Sequence, residues 1–345
     1  MTPLFHPLLV NGPLGDPVVF IDLKFSRRAF LFDLGEIRSL PPRKILKITH
    51  VFISHTHLDH FVGFDHLLRI CLGRNKQIHL FGPPKFLDQI KHKLSGYTWN
   101  LVESYPYSLE LMVGEVHPHQ IVFTRLSSST AFNEETRIEI KPFDGLVYEE
   151  PSFQVRAAFL DHKIPCLAFS LEERSHLNIL KTGLEQMALI KGPWLRELKE
   201  AIWKNEKDDY LIQVNFSTNK ERPNPFVSLG TLKKSLVRIT SGQKIAYVTD
   251  TICNETTQNI IRELVGGSDT LFMESAFLEE DIQQAKEKYH LTARQAGMIA
   301  AEAGVKRLIP FHISPKYSAN PDWVTQEALQ AFHNPVEKKN LSIEN

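Results

Sequence analysis

The stretch Val51–Phe64, "VFISHTHLDHFVGF", sets three histidines and an aspartate within six residues, directly behind an apolar run. The "VFIS" portion reads as the end of a buried strand, so His55, His57, Asp59 and His60 stand in the loop where that strand hands over to a helix. Alternation lets His55 and His57 point the same way, and the tighter turn that follows brings Asp59 and His60 to an adjacent position. Imidazole nitrogen and carboxylate oxygen suit zinc, and also manganese or iron. So compact a set would have little to hold it together without a cation, and it is therefore read as a metal site with room for two metals side by side.

Four ligands in one loop cannot complete two coordination shells, so the remainder must come from other strand ends. His162 follows "VRAAFLD", Asp250 ends "KIAYVTDT" and His312 ends "RLIPFHIS". Each is a ligand type at the carboxyl end of an apolar strand, where the loops of such sheets gather. The remaining histidines have no such context: His117 and His119 in "EVHPHQ" read as a solvated turn, and His66 in "GFDHLLR" as a helix-surface residue.

Outward from these motifs, short apolar strands recur, among them "VVFIDL", "RAFLFDLG", "RIEIKPF", "FQVRAAFL", "CLAFSLE" and "TLFMES". Helical spacing marks "HFVGFDHLLRICLG", "PKFLDQIKHKLSG", "QNIIRELVGG" and "TARQAGMIAAEAGV". In the last, Thr292 and Gln295 stand in the relation of a capping box, which starts the helix just after His290 and Leu291. Strands with interspersed helices predict an α/β chain of two sheets covered by outer helices. One segment, 175–209, has helical spacing broken by Gly192 and Pro193. It reads either as a surface helix pair or as an arm projecting from a single domain spanning 1–345.

The composition, 42% apolar and 10% aromatic over 345 residues, can bury a large core. Lys+Arg and Asp+Glu both count 40, so no global positive field draws in nucleic acid and any RNA contact must be local. No stretch approaches the ~20 apolar residues of a membrane span, and the start lacks the pattern of a signal peptide. A cytoplasmic protein is expected. Cys71, Cys166 and Cys253 lack CxxC spacing and read as reduced thiols.

Taken in order, the motifs resemble those of the metallo-β-lactamase-fold hydrolases, and within them those of the ribonuclease Z family. "FDLGE" around Asp33, "ISHTHLDH", "LDHKIPCLAFSLEE", "VTDT" and "FHISPKY" are similar to the five successive motifs. "MESAF" with Glu274 and "YHLTARQAGMIAAEAGV" with His290 resemble the paired loops peculiar to the ribonuclease Z branch. The resemblance implies an αββα four-layer sandwich. It also implies two Zn2+ ions, one held by His55, His57 and His162 and the other by Asp59, His60 and His312, with Asp250 bridging.

The same resemblance implies an endoribonuclease that removes the 3′ trailer from precursor tRNA. Asp59 would orient the attacking water, and His290, fixed by Glu274, would protonate the leaving oxygen. Segment 175–209 lies where the family carries an RNA-gripping arm. Members are often dimeric, so the apolar face of "HFVGFDHLLRICLG" serves either a homodimer or packing on the sheet. Departures are the N-terminal "NGPLGDPVVFID" and the long region from Tyr97 to Glu149, and both bear on the substrate rather than on the metals. The alternatives are a hydrolase of the same fold acting on another phosphodiester or small ester, and a catalytically silent binding protein.

Overall fold

The computed structural model describes residues 4–24, 26–133, 135–217 and 225–335. Strands β1 (Phe5–Leu9), β2 (Val19–Leu23), β3 (Ala29–Phe32), β4 (Ile48–Phe52), β5 (Lys76–Gly82), β6 (Leu109–Val116), β7 (Gln120–Ser127) and β8 (Glu135–Pro142) form one sheet in that order. Its centre, β3 to β6, is parallel, and its flanks are antiparallel hairpins. The chain then forms β9 (Leu146–Glu150), β10 (Phe153–Asp161) and β11 (Pro165–Glu173). It passes through β12 (His176–Ile179), β13 (Leu211–Gln213), β14 (Phe226–Ser228) and β15 (Val237–Thr240), and resumes with β16 (Lys244–Val248), β17 (Thr270–Glu274) and β18 (Leu308–Phe311). The second sheet has the order β18-β17-β16-β11-β10-β9, with β16, β17 and β18 parallel.

Period-two alternation builds four layers from these two sheets. On β3, Ala29 and Leu31 join the core beneath the helices Phe64–Cys71 and Phe86–Ser95. Phe32 points the other way and stacks on Phe169 of β11, with centroids 5.6 Å apart and planes 6° from parallel. On β16, Ala246 and Val248 pack beneath the outer helices while Tyr247 turns inward onto Phe32 and Phe311. The fold is an αββα sandwich, as the motifs implied. The apolar face of Phe64–Cys71, formed by Phe64, Leu67, Leu68 and Cys71, is consumed in this core.

Between Tyr97 and Glu149 the chain adds β6, β7 and β8 to the large sheet, so the long region between motifs is strand. The helix expected after His290 runs Ala293–Glu302, and its capping box is formed as read: Thr292 Oγ1 accepts from Gln295 N–H and the Gln295 side chain accepts from Thr292 N–H. All three cysteines are free.

Residues 148–154 and 172–243 form a compact unit of their own. Its core is Leu177, Leu184, Trp194, Leu198, Ile212, Leu229 and Leu232, and its two-stranded sheets pair β12 with β15 and β13 with β14. The segment 175–209 is thus part of a larger piece that runs to Gln243. Its start is the strand His176–Ile179 rather than a helix; the helices are Lys181–Gln186 and Trp194–Trp203, with Gly192 and Pro193 between them.

Candidate metal centre

Parallel strands end together, and five of them deliver the site. β3 leads to Asp33, β4 to Ser54 and His55, β16 to Asp250, β17 ends at Glu274 and β18 leads to His312. Asp33, Asp250 and His312 take φ of +54°, +41° and +56°, a region costly for residues with a Cβ, so each chain turns sharply where its side chain is used. His57 is extended and precedes the short helix Leu58–Phe61, which presents Asp59 and His60 in its first turn. This loop packs tightly on the one after β3. A Cβ on Gly63 would come 2.1 Å from the Gly35 carbonyl oxygen, so only glycine permits the approach.

The ligand atoms of His55, His57, His162 and Asp250 all lie within 4.8 Å of one another, as do those of Asp59, His60 and His312. Asp250 faces both sets. Its Oδ2 is 3.4 Å from His55 Nε2, 3.5 Å from His162 Nε2 and 3.3 Å from His60 Nε2, and its Oδ1 is 2.7 Å from His312 Nδ1. Asp59 Oδ2 stands 3.2 Å from His312 Nε2. All seven residues expected as ligands are brought together.

The far side of three of the five rings is held. His60 Nδ1 donates to Asp33 Oδ2 at 2.8 Å, His162 Nδ1 donates to the Tyr289 carbonyl at 2.8 Å, and His55 Nδ1 lies 3.0 Å from Ser54 Oγ. Ser54 in turn donates its hydroxyl to Asp33 Oδ2 at 2.7 Å, which leaves its oxygen to accept from His55. Each of these three rings therefore carries a proton on Nδ1 and turns Nε2 toward Asp250. Nε2 of His55 and of His60 is buried without a hydrogen-bond partner. A buried Nε2 with no hydrogen-bond partner, backed by a held Nδ1–H, is how a metal-binding imidazole is set, so these residues fit divalent cations.

Electrostatics point the same way. Burial, and then the neighbouring charge of His60, pushes His55 down to about 2, which keeps its ring neutral. Burial also lowers His57. Burial opposes charge on His60 and His312 as well, but the surrounding carboxylates, Asp250 with Asp33 for His60 and Asp250 with Asp59 and Glu274 for His312, together carry both well above their ordinary value. Asp250 itself is held well below the carboxylate range by His312 and His60, against its own burial. A buried carboxylate that draws positive charge from every side is matched to cations.

Beside this centre, His290 Nδ1 donates to Glu274 Oε2 at 2.8 Å, and Glu274 Oε1 accepts the Thr251 N–H at 2.7 Å. Burial works against a charged His290, yet the Glu274 and Asp250 carboxylates together raise it. The ring centroid of His290 is 5.0 Å from that of His162 and 5.7 Å from that of His312. His117 sits elsewhere, 2.8 Å from Glu115 at the β6–β7 turn. His66 lines a cavity of about 960 Å³ with Arg38, Arg69 and Trp99.

Ser54 and Tyr247, whose hydroxyl donates to Asp33 Oδ2 at 2.6 Å, were not singled out in the sequence. Their signal was present but mute: each lies in an apolar strand run within three residues of a ligand.

The model of the beta-lactamase superfamily domain matches residues 222–313. The ribonuclease Z of Deinococcus radiodurans is 30% identical over 333 residues, covering 94% of this chain and 95% of that protein. The ribonuclease Z of Bacteroides fragilis is 27% identical, covering 92% and 89%. Among solved structures, the metallo-beta-lactamase fold protein YhfI from Bacillus subtilis superposes with a TM-score of 0.52 at 14% identity, covering 94% and 91%. A long form RNase Z from yeast gives 0.51 at 14% identity, covering 90% of this chain and 38% of that one.

Proposed function

Because the chain belongs to the ribonuclease Z family, we propose that it is a dinuclear zinc phosphodiesterase that removes the 3′ trailer of precursor tRNA by endonucleolytic cleavage. The observation that carries this reading is Asp250, a buried carboxylate shared by two imidazole-rich ligand sets, with the Glu274–His290 pair at its side.

In this reading His55, His57 and His162 would hold one zinc and Asp59, His60 and His312 the other, with Asp250 between; manganese or iron suits the same donors. Divalent cations there would supply a water acidified from about 15.7 toward ~7 and positive charge to offset the phosphoryl oxygens. Asp59 is half exposed, so a carboxylate oxygen reaches solvent and can accept a hydrogen bond from the attacking water. His290 has its Nδ1 committed to Glu274, which leaves Nε2–H to protonate the departing oxygen. Glu274, fully buried and tied to the Thr251 N–H, fixes that ring rather than entering the reaction.

The unit at 172–243 would act as the arm that grips tRNA, in a cytoplasmic protein. No helix among the described residues is long and apolar enough to cross a membrane. The deciding experiment incubates the zinc-loaded protein with a trailer-bearing precursor tRNA and maps the product ends by sequencing. Cleavage at the trailer junction is expected. Turnover of a chromogenic phosphodiester without any cleavage of precursor tRNA would transfer the protein to a different phosphodiester substrate.

A further inference from the structure

Lys163 follows the ligand His162 and is exposed, with its backbone at φ +62°. Its N–H donates to Asp161 Oδ1 at 3.0 Å. The side chain crosses to the segment that carries His290: Nζ donates to the Glu287 carbonyl at 3.1 Å and lies 4.8 Å from the centre of the Tyr289 ring. Glu287 is in the last turn of the helix Ile282–Lys288, where carbonyls lack helical partners, and Tyr289 ends that helix in the left-handed region at φ +59°.

The same Tyr289 offers its carbonyl to His162 Nδ1 at 2.8 Å. Two adjacent residues of the His162 loop therefore hold one turn: His162 holds its peptide, and Lys163 holds its ring and the carbonyl two residues earlier. The next residue in the chain is His290. A tilt of the Tyr289 peptide would move the His290 ring and loosen the Nδ1 partner of a metal ligand at once.

We infer that Lys163 is a positioning residue that clamps the turn Glu287–Tyr289 onto the His162 loop, so that the proton-donating imidazole and the metal ligands share one frame. This rests on the ribonuclease Z reading and deepens it. Lys163 acts through Tyr289 and His290 and does not touch the reacting atoms. An ammonium over a ring face is a real but modest attraction, which suits a clamp that can be removed without unfolding the chain.

The test uses the zinc-loaded full chain with Lys163→Met, Lys163→Arg and Tyr289→Leu. Single-turnover rates are read on precursor tRNA, whose leaving group is an alkoxide, and on bis(4-nitrophenyl) phosphate, whose leaving group needs little protonation. At saturating zinc, Lys163→Met should keep its metal content and lose roughly tenfold on precursor tRNA, short of the ~10² to 10⁴ of a positioned acid, with the nitrophenyl ester changed less than about twofold. Lys163→Arg should restore the rate, since a guanidinium can make both contacts. Tyr289→Leu should reproduce the loss, and the double variant should be no worse than either single one.

A readout independent of turnover is hydrogen exchange at the His290 amide, which bonds to Ala285 O at 2.9 Å; it should quicken in metal-free Lys163→Met. Equal losses on both substrates, or a loss confined to KM, would instead make Lys163 a direct phosphate contact and overturn the clamp. If the wild type turns over the nitrophenyl ester but not precursor tRNA, the substrate reading fails; the clamp is then judged on the exchange rate and on a diester with an alkyl leaving group.

Discussion

Nδ1 of His60 lies 2.8 Å from Oδ2 of Asp33, and that oxygen also accepts from Ser54 and from Tyr247. One buried carboxylate thus orients His60 directly and His55 through Ser54, which joins the two expected ligand sets behind their rings. Weakening it should weaken metal binding without touching a ligand. Tyr247→Phe and Ser54→Ala should each raise the metal dissociation constant, toward the roughly 10- to 100-fold range typical of such outer partners. Competition against a chromogenic chelator measures this, and unchanged affinity in folded variants would discard the idea. Each change also removes a buried hydrogen bond, so the metal-free protein should lose about 1–3 kcal/mol in urea denaturation.

The ligand assignment predicts close to two divalent ions per chain by elemental analysis. His57→Ala and Asp250→Ala should lose metal and activity together. Stripping with a strong chelator should lower Tm, because a cation that binds only the folded chain stabilises it by mass action. A metal-free preparation with full activity would end the metal reading.

His290→Ala should keep both metals and lose about 10² to 10⁴ in rate on precursor tRNA, and far less on a nitrophenyl diester. The pH profile carries a sign. Glu274 raises His290, so the protonated acid persists above the ordinary histidine value and the rate on a poor leaving group falls only as pH rises through that raised value. Glu274→Gln should move the alkaline limb to lower pH. A limb that stays in place would take His290 out of the acid role.

Glu173 N–H donates to the Gln243 carbonyl at 2.8 Å, so the excursion between these two residues begins and ends at adjacent points. Residues 175–241 can therefore be replaced by a short Gly/Ser linker. The folded deletion should still hydrolyse a chromogenic phosphodiester while binding precursor tRNA less tightly. Its log-log salt slope should flatten by roughly 0.7 to 0.9 for each RNA phosphate that the unit neutralises. Undiminished RNA affinity would show that the unit is no arm.

Much of the centre was legible in the chain because its signals are local. His55, His57, Asp59 and His60 sit at the end of a strand whose apolar run is visible, and His162, Asp250 and His312 each close a similar run. The capping box at Thr292 needs only four residues to be read, and it formed. Between Tyr97 and Glu149, β8 is legible in "RIEIKPF", whereas β6, β7 and β9 are not. β6 and β7 largely alternate buried with more exposed positions, and such strands lack the continuous apolar runs that mark a strand buried on both faces.

The sequence by itself determined which residues could bind metal and at which strand ends they lie, because strand period and loop spacing are properties of neighbours. Only the tertiary structure decided that Asp250 faces both ligand sets, that Tyr247 reaches Asp33 across 214 residues, and that His162 holds a carbonyl 127 residues away. It alone extended the segment at 175–209 into a unit that runs to Gln243, since β12 finds its partner β15 some sixty residues later. These contacts depend on which sheet faces which and where separate strands end. That is set by the packing of the whole core, and no periodicity within a short window can encode it.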